Sequence, residues 1–324
     1  MNTYFARALS VLLVLSGLTA CGDDDVSPAT DGGLDGGPPD AAPVDGGPRP
    51  EAFIELGSSS EGIALGHTAA GAPVLYVGAR DGRIVRVTPD GLMTDVAVID
   101  SPVGIAVRAT GELLACGSTG PEATAPSVLF EIDPATGVKT VLVATAPDGS
   151  PLGLCNYVAV APDDSLVFSD SAGNKLYRAA ADGTGLTLVT DAIEFPNGLA
   201  FSPDGNTLYV ASWSGNALFS LAFDRATGTY GTPTSVLSGV AGIDGLVTLA
   251  DGTVVLVTST SGVQRFTAGA AAELLFPPRV FTLPANGVVG DEAFGVHSLY
   301  LTSVTRTSIQ RITIDGTGVA LPVR

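Results

Sequence analysis

The chain has 324 residues, with 33 acidic against 15 basic side chains and a formal net charge of −18 at neutral pH. A surface this negative repels polyanions, which makes nucleic acid and anionic lipid surfaces poor partners. Hydrophobic residues make up 45% of the chain and charged ones 15%, and the apolar residues come as short Val, Leu and Ala runs broken by Gly, Asp and Pro, the pattern of many short strands and not of amphipathic helices.

The first element in chain order is a leader. Arg7 sits in a short polar start, and the apolar run Ala8 to Leu18 follows. That run is too short for a permanent membrane span and reads as a signal peptide over residues 1–20. It ends in Leu18-Thr19-Ala20-Cys21, which resembles the bacterial lipobox. The resemblance implies cleavage before Cys21, lipidation of its thiol, and an exported chain held to the membrane by acyl chains alone. Gly22 follows the cysteine where an inner-membrane retention signal would carry Asp, so the expected location is the cell envelope, at the outer membrane, its periplasmic face or the cell surface. Residues 21–50 carry seven Asp, one Arg and almost no bulky apolar side chain. Such a segment has too little apolar area to offset its ordering entropy and is expected to be a disordered spacer.

Residues 51–324 form the folded part, with a net charge of −13 once the leader and spacer charges are removed. Only Cys116 and Cys155 remain there. They are able to pair in an oxidising compartment, but two cysteines make no disulfide framework, and the reading favours two small buried hydrophobes.

The same pattern recurs along this part: apolar strand, turn, apolar strand ending in a small residue, turn, third strand. The clearest copy runs from Phe195 to Phe223 and is matched by Leu154 to Gly183. Others start near Ser60, Val103, Gly242 and Asn286. Asp-Gly pairs at 81–82, 90–91, 182–183, 204–205, 251–252 and 315–316 mark hairpin turns. The residues taken to open the first strand of each copy are Glu61, Val103, Asn156, Asn197, Asp244 and Asn286. Their steps of 42, 53, 41, 47 and 42 residues are blade lengths. They predict an all-β, six-bladed β-propeller with four-stranded blades, closed by the strand near Phe53 joining the last blade.

Equivalent positions in a propeller lie at one height around the central channel. Here that ring holds two carboxylates and three amides, with Val103 the exception. Converging oxygens of this kind suit a hard divalent cation: Ca²⁺ first, with Mg²⁺ or Zn²⁺ as alternatives. Only His67 and His297 are present, without ligand spacing to one another, which weighs against zinc.

The motifs SEGIAL at Glu61, CNYVAVAPDDSLVFSDS at Asn156, FPNGLAFSPDGNTLYVAS at Asn197 and GIDGLVTLADGTVVLVTS at Asp244 resemble the senescence marker protein/gluconolactonase family of six-bladed propellers. The resemblance covers roughly residues 58–315. It implies a metal site of Glu61, Asn197 and Asp244, with Asn156 completing that site or touching substrate; Asp244 is read as the general base, and Tyr157 and Asn286 as further substrate contacts. Two positions depart from the pattern. An arginine expected two residues before Asn156 is Leu154, and the expected Asn-Asp pair is Asn156-Tyr157, so the pocket there should be more apolar and gluconolactone itself is a poor fit.

Two functions of different class remain. One is a metal-dependent hydrolase of lactones or related esters, a monomer acting on a small molecule at the envelope. The other is a non-catalytic propeller lipoprotein that binds a ligand or protein. No G-x-S-x-G elbow supports a serine hydrolase. Trp213 is expected to pack between blades, near the rim of the same mouth.

Overall fold

The computed structural model describes residues 49–122 and 124–319. The leader, Cys21 and nearly all of the spacer lie outside the described residues. Those described contain twenty-five strands in six antiparallel sheets and no helix.

Strand β1 (Glu51–Glu55) comes first. Blade one is β2 (Ser60–His67), β3 (Pro73–Ala79), β4 (Arg83–Val87) and β5 (Met93–Val98). Blade two is β6 (Ile105–Val107), β7 (Leu113–Ser118), β8 (Ser127–Ile132) and β9 (Lys139–Val143). Blade three is β10 (Cys155–Val160), β11 (Leu166–Asp170), β12 (Lys175–Ala179) and β13 (Thr187–Thr190). Blade four is β14 (Pro196–Phe201), β15 (Thr207–Ser212), β16 (Ala217–Asp224), β17 (Thr229–Tyr230) and β18 (Thr234–Ser238). Its outer strand is β18, and β17 is an extra two-residue hairpin on the end of β16, the one departure from four strands. Blade five is β19 (Ile243–Thr248), β20 (Val254–Thr258), β21 (Gly262–Phe266) and β22 (Glu273–Phe276). Blade six is β23 (Pro284–Val289), β24 (Ser298–Ser303) and β25 (Ser308–Thr313), completed by β1. The expected closure is present: Glu51 pairs with Arg311 and Glu55 with Ser308, joining the two ends of the folded part in one sheet.

The turns explain the spacing. Glycines 82, 91, 183, 205 and 252 each sit between two strands with φ between 71° and 103°, a region that costs other residues a Cβ clash. The preceding Asp fastens the turn: Asp182, Asp204 and Asp251 each accept the backbone N–H two residues on, at 3.0, 3.1 and 3.0 Å. Gly316 is the exception, because it follows β25 and closes no hairpin.

Packing between blades supplies the core. Six apolar clusters lie one to each blade–blade interface, for example Leu114, Cys116, Val158 and Phe168 between blades two and three, and Leu75, Val77, Tyr300 and Ile309 between blades six and one. Second strands are buried on both faces, so β7, β11 and β20 are buried throughout and their sequences do not alternate. Outer strands such as β5 and β9 are mostly exposed.

Cys116 and Cys155 are both fully buried, as expected of small hydrophobes. They are also joined in a disulfide linking β7 to β10, which corrects the reading of two free thiols. Adjacent inner and second strands of neighbouring blades bring the two Cα atoms to 5.2 Å, within bonding reach. The bond closes a loop of 39 residues, and the chain-entropy relation gives about 4 kcal/mol for that length. Replacing both cysteines by serine is expected to lower unfolding stability by up to that amount in urea titration, with the fold retained.

Candidate active site at the channel mouth

Each ring residue is placed by a kink in its inner strand. The pairing register shifts at Ser60/Ile63, Cys155/Tyr157, Pro196/Leu199, Ile243/Gly245 and Pro284/Gly287. These bulges fall on Glu61, Asn156, Asn197, Asp244 and Asn286. The sequence places them at the opening of each strand; they are instead its second or third residue. A bulge leaves one residue unpaired and re-aims its side chain, which is how five polar side chains on apolar strands share the mouth. Val103 precedes β6, which pairs without a shift.

The glycines after the ring residues are required by close approach. A Cβ on Gly62 would collide with the carbonyl of Val103, one on Gly104 with that of Asn156, one on Gly198 with that of Asp244, and one on Gly245 with Asn286. Each inner strand thus abuts the next, backbone to backbone. Blade three alone carries a side chain at this position, Tyr157. Its hydroxyl donates to Asn286 Oδ1 at 3.2 Å. Blades three and six face each other across the ring, so the phenol lies across the axis. Burial raises the Tyr157 hydroxyl's proton affinity, with the nearby charge of Asp244 adding to it. Asn286 Oδ1 also accepts the Gly287 N–H at 2.8 Å.

Glu61, Asn197 and Asp244 come together. Asn197 is buried and hydrogen-bonds Asp244, and the charges of Glu61 and Arg80 both act on Asp244. Burial pushes the Asp244 carboxyl well above its ordinary range, and the Glu61 carboxylate pushes it further. Burial likewise raises Glu61, against the opposing charge of Arg80. Asn156 makes a different contact: its Nδ2 donates to Ser171 Oγ at 3.0 Å, on its own blade.

Arg80 was not legible in the motifs. It follows β3 and ion-pairs through Nη1 with Glu61 Oε2. The backbone N–H groups of Arg80, Ser171, Trp213 and Ser259 donate to Ser59, Leu154, Phe195 and Gly242, each two residues before a ring residue. All four therefore occupy one register on the rim. Comparing the repeat copies at that position, where the others have Ser or Trp, would have exposed the lone cation. Trp213 bridges blades four and five as expected, with Nε1 donating to Ser259 Oγ at 3.2 Å and its ring 5.8 Å from that of Phe195.

Among the described residues no three His, Cys, Asp or Glu side chains gather at one point. The donor set is two carboxylates and an amide oxygen. Two like-charged, desolvated carboxylates beside a single guanidinium form a group that gains by taking a hard dication, so the residues fit such an ion. The raised proton affinity has a consequence in its absence. A raised carboxyl contributes stability that is full below its unfolded value, 3.8 for Asp244, and is lost as pH rises through the folded value. The melting temperature of the metal-stripped parent, relative to that of Asp244→Asn, should therefore fall from about pH 4 upward; a flat difference would refute the desolvated pair.

The pattern of the SMP-30/Gluconolactonase/LRE-like region matches residues 64–305. The chain belongs to this family. Among curated relatives, adipocyte plasma membrane-associated protein of Danio rerio is 30% identical over 171 residues, 43% of this chain and 40% of that protein. Pentonolactonase XacC of Haloferax volcanii is 35% identical over 60 residues, 18% of this chain and 20% of that protein. The chain thus aligns with well under two thirds of either relative. Among solved structures, a gluconolactonase from Xanthomonas campestris superposes with a TM-score of 0.68 at 23% identity, over 82% of this chain and 89% of its own. Regucalcin, a calcium-binding protein from Agrobacterium tumefaciens, gives 0.62 at 20% identity, over 82% and 93%. At such identities the likeness shows the fold.

Proposed function

We propose that the protein is a metal-dependent hydrolase of lactones or related esters, exported to the cell envelope on a lipid anchor at Cys21. The observation that carries the reading is the convergence of Glu61, Asn197 and Asp244 at the channel mouth. Family membership and the pentonolactonase and gluconolactonase relatives support the reaction class, and the regucalcin neighbour supports calcium. The buried disulfide suits a chain that folds in an oxidising compartment.

Glu61, Asn197 and Asp244 would hold the cation, which when bound polarises the scissile carbonyl. Asp244 takes the proton of the attacking water. The water oxygen bonds the carbonyl carbon, the ring C–O bond breaks, the leaving oxygen takes up a proton, and a hydroxy acid results. Asn197 orients Asp244. Tyr157 and Asn286, held to one another, form the polar wall opposite.

The test is a lactone panel assayed with EDTA and with added Ca²⁺. Hydrolysis that EDTA abolishes and Ca²⁺ restores supports the reading. A second reading, a propeller that binds without turnover, is favoured by the Arg80–Glu61 pair, which partly neutralises the site from within. It is supported if EDTA lowers only the melting temperature and no substrate turns over.

A further inference from the structure

We infer that Arg80 binds a carboxylate on the substrate, so that the site prefers lactones carrying an anionic group over neutral ones. The inference rests on the lactonase reading and deepens it. Arg80 stands on the rim, in the register of Ser171, Trp213 and Ser259, beside the residues assigned to the reaction. Its guanidinium engages Glu61 through Nη1, and its side chain keeps 25% of its surface exposed.

The other arginines differ in how many nitrogens they engage: Arg178 and Arg265 use one each, on Asp163 and on Asp315 O. Arg83 uses all three nitrogens, on Asp81, Asp95 and Leu56 O. Arg311 clamps Glu51 with two. Among the described residues the Arg80 side chain has one hydrogen-bonding partner, Glu61, and its Nε and Nη2 make no hydrogen bond. A guanidinium presents such a pair in the fixed geometry that a carboxylate accepts.

Charge points the same way. Glu61, Asp244 and Arg80 are the charged groups that act on one another here. Two carboxylates alone would repel an anionic substrate. With a dication between them and Arg80 beside them, the site carries one positive charge in excess, which one carboxylate neutralises.

The experiment compares a five-membered lactone bearing a carboxylate with its counterpart bearing hydroxymethyl, using the full mature chain and its Arg80→Gln and Arg80→Lys variants. Melting temperatures establish that the variants fold. The parent is expected to favour the anionic lactone in kcat/KM by about tenfold or more, the scale of a hydrogen bond to a charged group. Arg80→Gln should collapse that ratio through KM, and Arg80→Lys restore part of it. A parental ratio near one, or a ratio unchanged in Arg80→Gln, overturns the inference while the lactonase reading stands. Calorimetry with the linear hydroxy dicarboxylate, at saturating Ca²⁺, supplies a readout without turnover. If no lactone is hydrolysed but this anion binds the parent and not Arg80→Gln, the anion site holds and the lactonase reading fails. Neither hydrolysis nor binding overturns both.

Discussion

Asp244→Asn is expected to remove lactone hydrolysis while leaving the propeller folded. The side chain serves twice in the proposed reaction, as an oxygen donor and as proton acceptor, and asparagine keeps its shape while losing its charge. Loss of a positioned base alone costs roughly a hundredfold to ten-thousandfold in rate. The variant should fold because Asp244 lies on a bulge of β19 whose ladder is made by its neighbours, Ile243 with Thr258 and Gly245 with Val257. Removing a desolvated carboxylate next to Glu61 also relieves repulsion, so the metal-stripped variant should melt higher than the metal-stripped parent above about pH 4. Parental activity in a folded Asp244→Asn would remove Asp244 from the chemistry.

The second large effect is expected from Glu61→Gln. Glu61 acts on Asp244 through its charge and on Arg80 through an ion pair. Neutralising it removes one of two anionic donors and releases Arg80. Cation affinity should fall by more than the roughly tenfold that loss of an outer-shell partner of a metal ligand costs, and hydrolysis should need correspondingly more added cation. If affinity and the cation dependence of the rate stay as in the parent, Glu61 is not a donor.

The fold was legible because its determinants are local and repeated. The Asp-Gly turns at 182–183, 204–205 and 251–252 are set by a positive φ and by the Asp side chain itself, and the steps between the inner-strand residues report the period of the blades. The closing strand could be named because, within residues 51–324, a single apolar segment precedes the first copy. The proximity of Glu61, Asn197 and Asp244 was legible through register, since identical strands put identical positions at one height. What register could not show was direction. Asn156 and Asn197 occupy the same step of the repeat, yet one bonds Ser171 of its own blade and the other Asp244 of the next. Tyr157 read as a local change in pocket polarity; its bond to Asn286 depends on facing blades 129 residues apart. Arg80 lay one strand away from every motif, and its pairing with Glu61 is a rim contact that inner-strand positions do not report. The disulfide joins neighbouring blades, and a pair of cysteines in sequence carries no information on whether their Cβ atoms meet.

The central claim is that oxygens from separate blades hold one divalent cation at the channel mouth. It is tested most directly by calorimetric titration of Ca²⁺ into the metal-stripped mature chain, beside Glu61→Gln and Asp244→Asn. The account predicts one ion per parental chain and weakened or absent binding in both variants. No heat from the parent, or binding that survives both substitutions unchanged, would contradict it.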